Sequence, residues 1–245
     1  MPTRSKAIPV STTEDDLPYP LDDRLLRLRL QRHRTARTLR LRLSADGESL
    51  VLSLPLRYPR ARALEFAAGQ ASWVQARLAG LPPRVPFADG AELPLFGAPH
   101  RVRSRPDGRR GVWREATEIH VSGEPEFLPR RLRDWLQREA LSQFSALTRE
   151  KADLLEGGRP LRRVRVRDTV SRWGSCTAAG DISFSWRLVF APHEIVDYVV
   201  AHETAHLLHL DHSSAFWRCV EGLTPHRPRA QAWLRENGRQ LLRYG

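Results

Sequence analysis

The segment Val199–Trp217, V-V-A-H-E-T-A-H-L-L-H-L-D-H-S-S-A-F-W, constrains this chain more than any other. It contains His202-Glu203-Thr204-Ala205-His206, an H-E-x-x-H sequence. On an α-helix, residues four apart lie on one face, about 6 Å apart along the axis. Two imidazoles so placed can close on one Zn²⁺ at roughly 2.0–2.1 Å each. Glu203 follows the first imidazole, so its carboxylate can hold a metal-bound water rather than ligate the metal. The plainer reading is a buried helix that happens to carry histidines, and the flanks Ile195, Val196, Val199, Val200, Leu207 and Leu208 are apolar enough for it. The metal spacing, the intervening glutamate and a further histidine six residues on weigh against that reading.

A catalytic zinc usually keeps three protein ligands and leaves a fourth position to water. His209 and His212 are the candidates for the third. His209 shares the ligand face, but on a straight helix it lies about 10 Å from His202 along the axis. His212 sits beyond Asp211 and before Ser213-Ser214, both of helix-capping type. A helix break near Leu210–Asp211 would turn the chain back and deliver His212, which is therefore the expected ligand.

At 245 residues the chain can form one large domain or two smaller ones. No apolar run approaches the ~18–20 residues needed to span a membrane, and the first twenty residues lack a secretory stretch, so a cytoplasmic protein is expected. Cys176 and Cys219 are the only cysteines, too few for a disulfide framework and best read as small buried residues. The formal net charge is +12, supplied almost wholly by arginine, since Lys6 and Lys151 are the only lysines. Such a balance favours acidic partners, nucleic acid or nucleotides among them. Codon bias in a GC-rich genome would enrich arginine with no binding role.

Residues 1–20 are expected to form a mobile tail. Leu26, Leu28 and Leu30 then alternate with Arg27 and Arg29, and Leu39, Leu41 and Leu43 with Arg40 and Arg42. These are half-buried strands with arginine on the open face. That face is either a solvated surface or one whose Arg27, Arg29, Arg40 and Arg42 contact phosphates. Asp46-Gly47 signals a turn into a third strand at Leu50–Leu54. One helix is expected over Arg60–Leu78, then short strands from Leu93 to Ser122. A boundary is expected at Pro125–Pro129, giving a β-rich domain over 21–125 and a second domain over 129–245. The second domain opens on a long helix, Arg131–Leu155. A strand follows at Val164–Val166 and a hairpin across Gly180-Asp181 to Ile182–Leu188. Pro192 and His193 open the metal-binding helix, Ser213 or Ser214 caps a short one, and a last helix covers Arg229–Leu242. No internal repeat is visible.

These residues resemble the YgjP-like metallopeptidase family, whose pattern is R-W-G-S-C, a W-R-L strand, Y-V-V-x-H-E-L-x-H, five residues, and H-S-x-x-F-W. The chain carries Arg172-Trp173-Gly174-Ser175-Cys176, Trp186-Arg187-Leu188, Tyr198-Val199-Val200, His202-Glu203, His206, His212-Ser213 and Phe216-Trp217. The match is orderly across 160–245 and looser in the front half. Thr204 stands where the pattern has Leu, and Asp211 and Ser185 where it has Asn. The resemblance implies an α+β fold with a zincin-like metallopeptidase domain behind the β-rich N-terminal domain. It implies one zinc per chain, His202, His206 and His212 as ligands, and Glu203 as general base. A more remote similarity is to SprT-like proteases.

The expected activity is zinc-dependent hydrolysis of peptide bonds in a protein or peptide substrate, as a metalloendopeptidase. A developing oxyanion needs a further donor, for which Arg172, Arg187, His193, Tyr198 and His209 are candidates. Trp173 either lines the cleft with Arg172 or simply packs. Two alternatives remain: a metal-dependent hydrolase of nucleoside triphosphates, and a basic nucleic-acid module whose zinc is structural. A structural site would usually be closed by four protein ligands.

Overall fold

The computed structural model describes residues 12–13 and 16–245. The chain forms two compact units, one ending at Leu81 and the other running from Pro82 to Gly245. In the first unit, strands β1 (Thr12–Thr13), β2 (Leu17–Leu21), β3 (Arg24–His33), β4 (Arg40–Leu43) and β5 (Ser49–Pro55) make one sheet, followed by helices α1 (Arg60–Ala68) and α2 (Ala71–Ala79). The sheet order is β1-β3-β5-β4, with β2 also on β3. β3 and β5 are parallel, and β5 meets β4 across the Asp46-Gly47 turn, with Gly47 at φ 75. The leucine alternation sets the buried face: Leu26, Leu28, Leu30, Leu50, Leu52 and Leu54 pack with Ala63, Ala67 and Val74 of the helices. Each such leucine contributes about 1.5–3 kcal/mol of transfer free energy. The opposite face carries the arginines, with Arg42, Val51 and Arg29 in one row and Arg40, Ser53 and Gln31 in the next.

Two expectations are corrected here. Of the expected tail, residues 1–11 and 14–15 lie outside the described residues, but Leu17–Leu21 is a strand whose Tyr19 is buried and donates its hydroxyl to the Ala67 carbonyl at 3.0 Å. The single helix expected over Arg60–Leu78 is two helices. Gln70, at φ −97 and ψ 12, breaks the run beside Gly69, a poor helix former.

The second unit begins with a four-stranded sheet of β6 (Glu92–Leu95), β7 (Ala98–Arg105), β8 (Val112–Glu115) and β9 (Glu118–Ser122), in the order β6-β7-β9-β8. A 3₁₀ turn, Pro125–Phe127, runs straight into α3 (Leu128–Asp153). Next come β10 (Arg163–Arg167), β11 (Gly174–Cys176) and β12 (Asp181–Ser185), in the order β10-β12-β11. After a second 3₁₀ turn, Trp186–Phe190, the chain ends in α4 (His193–Ala205), α5 (Ser214–Leu223) and α6 (Arg227–Leu241). Trp186-Arg187-Leu188 is thus a 3₁₀ turn rather than a strand, and its three side chains are buried.

The compact units meet between Leu81 and Pro82 rather than at Pro125–Pro129. The physical reason is a shared core. Val102, Ile119 and Val121 of the second sheet pack in one cluster with Leu132, Leu136 and Phe144 of α3 and with Ile195, Val196 and Val200 of α4. Proline at the start of α3 marks a helix N-terminus, not a linker.

One topology occurs three times. In β3-β5-β4, β7-β9-β8 and β10-β12-β11, the last strand in sequence inserts parallel to the first and antiparallel to the second. The sequence hides this recurrence because only strand alternation is shared. In each case the first strand alternates arginine with apolar residues or serine.

Candidate active site

α4 is the centre of the second unit. Ile195, Val196, Val200, Ala201 and Ala205 are fully buried, and Thr204 turns its hydroxyl back to the Val200 carbonyl at 2.8 Å. Thr204 is therefore accommodated inside the helix without an orphaned polar group. Behind the helix, Lys151 of α3 places Nζ 2.6 Å from Asp197 Oδ1 and donates to the Leu223 carbonyl at 2.8 Å. Thr224 donates to the other Asp197 oxygen at 2.5 Å. This buried network ties α3, α4 and the end of α5 together.

The helix ends at Ala205, earlier than the break expected near Leu210–Asp211. His206 is its C-cap, still in helical conformation at φ −67 and ψ −13. His202 and His206 so keep a common face, with ring centroids 5.1 Å apart. The turn is held by backbone bonds from Leu208 and His209 to the Ala205 carbonyl at 3.1 and 3.0 Å. Arg159 clamps it from outside, its backbone N–H on the Leu207 carbonyl at 2.9 Å and Nη1 on the same oxygen at 3.2 Å. A cation there also suits the negative end of the helix.

The chain then returns. Hydrogen bonding from the Ser213 hydroxyl, and then from its backbone N–H at 3.2 Å, holds the Asp211 carboxyl below the usual carboxylate range, and Ser213 caps α5 by accepting from Phe216 N. Asp211 thus shapes the loop. His212 arrives with Nε2 3.3 Å from His202 Nε2. One ligand atom from each of His202, His206 and His212 lies within 4.8 Å of the others, and this is the only such group of three among the described residues. Metal–nitrogen bonds of about 2.0–2.1 Å at a tetrahedral angle put two nitrogens roughly 3.3–3.4 Å apart, so the His202–His212 pair already has the separation a shared zinc requires.

The tautomers matter for that fit. His206 Nδ1 lies 2.9 Å from the His209 carbonyl oxygen, which can only accept. The neutral ring must carry its proton on Nδ1, leaving Nε2 free as a ligand. His209 contributes this carbonyl and not its imidazole. Nδ1 of His202 is buried without a hydrogen-bond partner, so no protein acceptor fixes that tautomer. Burial, with His206 and His212 adding to it, lowers the His202 pKa to about 4, and burial lowers that of His206 too. Both are held neutral, the form that ligates metal. Phe216 stacks on His206 with centroids 4.5 Å apart, and Trp217 lies 5.7 Å from His202 and from His212.

Glu203 is 6% exposed, and burial pushes its carboxyl up to about 8, with Arg172 pulling the other way. It fits beside β11 because Gly174 has no side chain. A Cβ there would stand 2.5 Å from both Cγ and Oε1 of Glu203. Gly174 has no positive φ, so its job is space, not backbone freedom. Gly174→Ala should therefore keep the strand and the metal yet displace the glutamate. Misplacement by about 1 Å can cost roughly 10²-fold in rate, to be checked by turnover at unchanged metal content.

A cleft of about 450 Å³ opens beside Glu203, lined by Arg172, Trp173, Tyr198, His202, Gln231, Leu234 and Arg235 among others. Trp173 does both things proposed for it: it lines the cleft and packs so tightly on α6 that a Cβ on Gly238 would lie 3.1 Å from it. Tyr198 accepts from Gln231 Nε2 at 3.0 Å, so its own proton stays available to donate. Arg187 is not in the cleft. It is buried, donating to Asp168 Oδ1 at 3.0 Å and to the Tyr244 carbonyl at 2.6 Å, a structural role. Its place in the strongly apolar 3₁₀ turn explains why sequence alone did not separate it from Arg172. His193 stacks on Phe96, centroids 5.0 Å apart, at the other end of α4 from His206, and is not among the cleft residues. Gln231, Leu234 and Arg235 of α6 were missed. Their i, i+3, i+4 spacing marks one helix face, but only the fold shows what that face looks onto.

A model of the YgjP-like metallopeptidase domain matches residues 37–237. The chain belongs to the YgjP-like metallopeptidase family. The match takes in β4, β5, α1 and α2 of the first unit as well as the site. No curated protein and no solved structure shows significant similarity to the chain. As a YgjP-like domain it is α+β and of a metal-dependent hydrolase class. Among the described residues no helix is long and apolar enough to cross a membrane. Cys176 and Cys219 are free and half-buried, and burial pushes the Cys176 thiol up to about 11, which favours the protonated thiol.

Proposed function

We propose that the protein is a zinc metalloendopeptidase binding one zinc through His202, His206 and His212, with Glu203 as its general base. The observation that carries this reading is the convergence of three imidazoles, with ligand atoms within 4.8 Å of one another, beside a buried glutamate. Three protein ligands and an adjoining cleft favour a catalytic over a structural metal, which usually takes four. Zinc, when bound, would acidify a water and polarise the scissile carbonyl.

Glu203 accepts the proton of the attacking water and returns it to the leaving amine. Burial by the protein alone raises the Glu203 carboxyl pKa; a cation bound beside it would favour the ionised carboxylate, the form that accepts the proton. Arg172 and Tyr198, both lining the cleft with Glu203, are the donors we assign to a developing oxyanion. Trp173 and Leu234 supply apolar wall for the substrate chain.

The test compares cleavage of denatured casein with nucleotide release from a triphosphate panel, for the zinc-loaded protein and Glu203→Ala. Casein cleavage that disappears in Glu203→Ala is expected. Nucleotide release lost in Glu203→Ala, with casein intact, would replace peptidase by phosphoanhydride hydrolase.

A further inference from the structure

The three arginine-bearing sheets are built alike, yet the middle one handles its cations differently. On β7, Arg101 Nη2 lies 2.7 Å from Glu92 Oε1, and Arg103 Nε lies 2.6 Å from Glu118 Oε1. Arg105 Nε donates to His120 Nδ1 at 3.1 Å. Each arginine of that row has a partner in its own sheet, as suits a solvated face.

The other two sheets lack this arrangement. In the first, Arg27 pairs in register with Ser49, Arg40 with Ser53 and Arg42 with Val51. In the third, Arg165 pairs with Ser183 and Arg167 with Ser185, while Arg163 stands opposite Asp181 without forming an ion pair. All six arginines are exposed. Among the described residues, none of these six makes a side-chain hydrogen bond or ion pair; Arg27 lies within the field of Asp16, whose ion pair, at 2.9 Å, is with Arg29. Like charges on neighbouring positions of a sheet repel, so these faces favour an anion laid over them.

The spacing indicates which anion. Alternate residues of a strand lie about 6.6–6.8 Å apart, close to the step between successive phosphates on one nucleic-acid strand. In the first sheet the β3 and β4 arginines flank β5, about 10 Å apart across two strand spacings, with Ser49, Val51 and Ser53 as a low floor between them. No phenylalanine, tyrosine or tryptophan is in register with these arginines on either face. Base stacking therefore has no platform, and contact falls to the backbone.

We propose that the open faces of the first and third sheets bind the phosphate backbone of a nucleic acid, without reading its sequence. The experiment uses the full chain and labelled duplex and single-stranded DNA of equal length, with binding followed by anisotropy across a salt series. The variants are Arg27/Arg40/Arg42→Gln and Arg163/Arg165/Arg167→Gln. The control, Arg138/Arg149/Arg239→Gln, removes the same charge from helices. Each phosphate contact contributes about 0.9 to the slope of log K against log salt on duplex and about 0.7 on a single strand. Loss of three contacts should flatten the slope by about 2–3 in one or both sheet variants and leave the control like the parent. The tighter of the two DNA forms identifies the preferred backbone. If a triple variant does not fold, Arg40→Gln or Arg165→Gln alone should remove about one contact. No binding by the parent at low salt, an unchanged slope in both sheet variants, or an equal loss in the control would each overturn the proposal.

Discussion

Replacing His212 with alanine should empty the metal site, and replacing His209 should leave it full. His212 Nε2 is 3.3 Å from His202 Nε2, and its ligand atom belongs to the cluster of three. The His209 ring does not, and its contribution, the carbonyl that accepts from His206 Nδ1 at 2.9 Å, survives in alanine. Zinc content after dialysis separates the two variants. His202→Ala and His206→Ala should behave as His212→Ala does, with turnover reduced to background. They should also lose the thermal gain from zinc, because metal binding is linked to folding. With free zinc held about 100-fold above Kd, that gain is about 2.7 kcal/mol for the parent. A His209→Ala protein that lost its metal while His212→Ala kept it would reverse the ligand assignment.

The sequence made the histidine cluster legible because its physics is local. Four-residue spacing on a helix brings His202 and His206 together whatever surrounds them, and a breaker-rich loop is the only way to deliver a third imidazole from six residues on. The strand faces were equally legible, since leucine alternation decides which side of β3 and β5 is buried. What stayed hidden depends on distant partners. Gly174 stood in the sequence only as one residue of the Arg172–Cys176 motif, but it is the space into which Glu203 fits, and the two are 29 positions apart in sequence. Arg172 and Arg187 are both arginines flanking aromatic residues. One faces the cleft and the other is sealed against Asp168 and the Tyr244 carbonyl. The boundary was misplaced for the same reason: no local signal shows that the second sheet shares its core with α3 and α4.

Glu203→Gln should keep zinc and fold while turnover falls by about 10²–10⁴-fold, the usual contribution of a general acid–base group. The amide is nearly isosteric and fills the space beside Gly174, but it cannot accept a proton from water. A second consequence follows from burial. The Glu203 carboxyl moves from 4.5 up to about 8 in the folded chain, chiefly because its charged form is desolvated. Below about pH 4.5 both folded and unfolded chains are protonated at this position, and it adds no pH dependence. As pH rises from there toward about 8, the unfolded chain releases the proton and the folded one retains it, so stability falls. Above about 8 the loss is complete. Its size is on the order of 1.4 kcal/mol per pKa unit, a few kcal/mol in all. Glutamine stays neutral throughout, so chelator-treated Glu203→Gln should lack this decline and melt higher than the chelator-treated parent at pH 8, with the difference closing toward pH 5. The lowered His202 pKa acts in the opposite direction, costing stability as pH falls below 6.5 toward about 4, but it is common to both proteins and cancels in the comparison. Thermal midpoints across pH 5–9 without metal, and zinc content and casein turnover with it, separate the two roles. Near-parental turnover in zinc-loaded Glu203→Gln would remove the glutamate from the chemistry, whereas parallel melting curves would show that its carboxyl is not the buried neutral group described here.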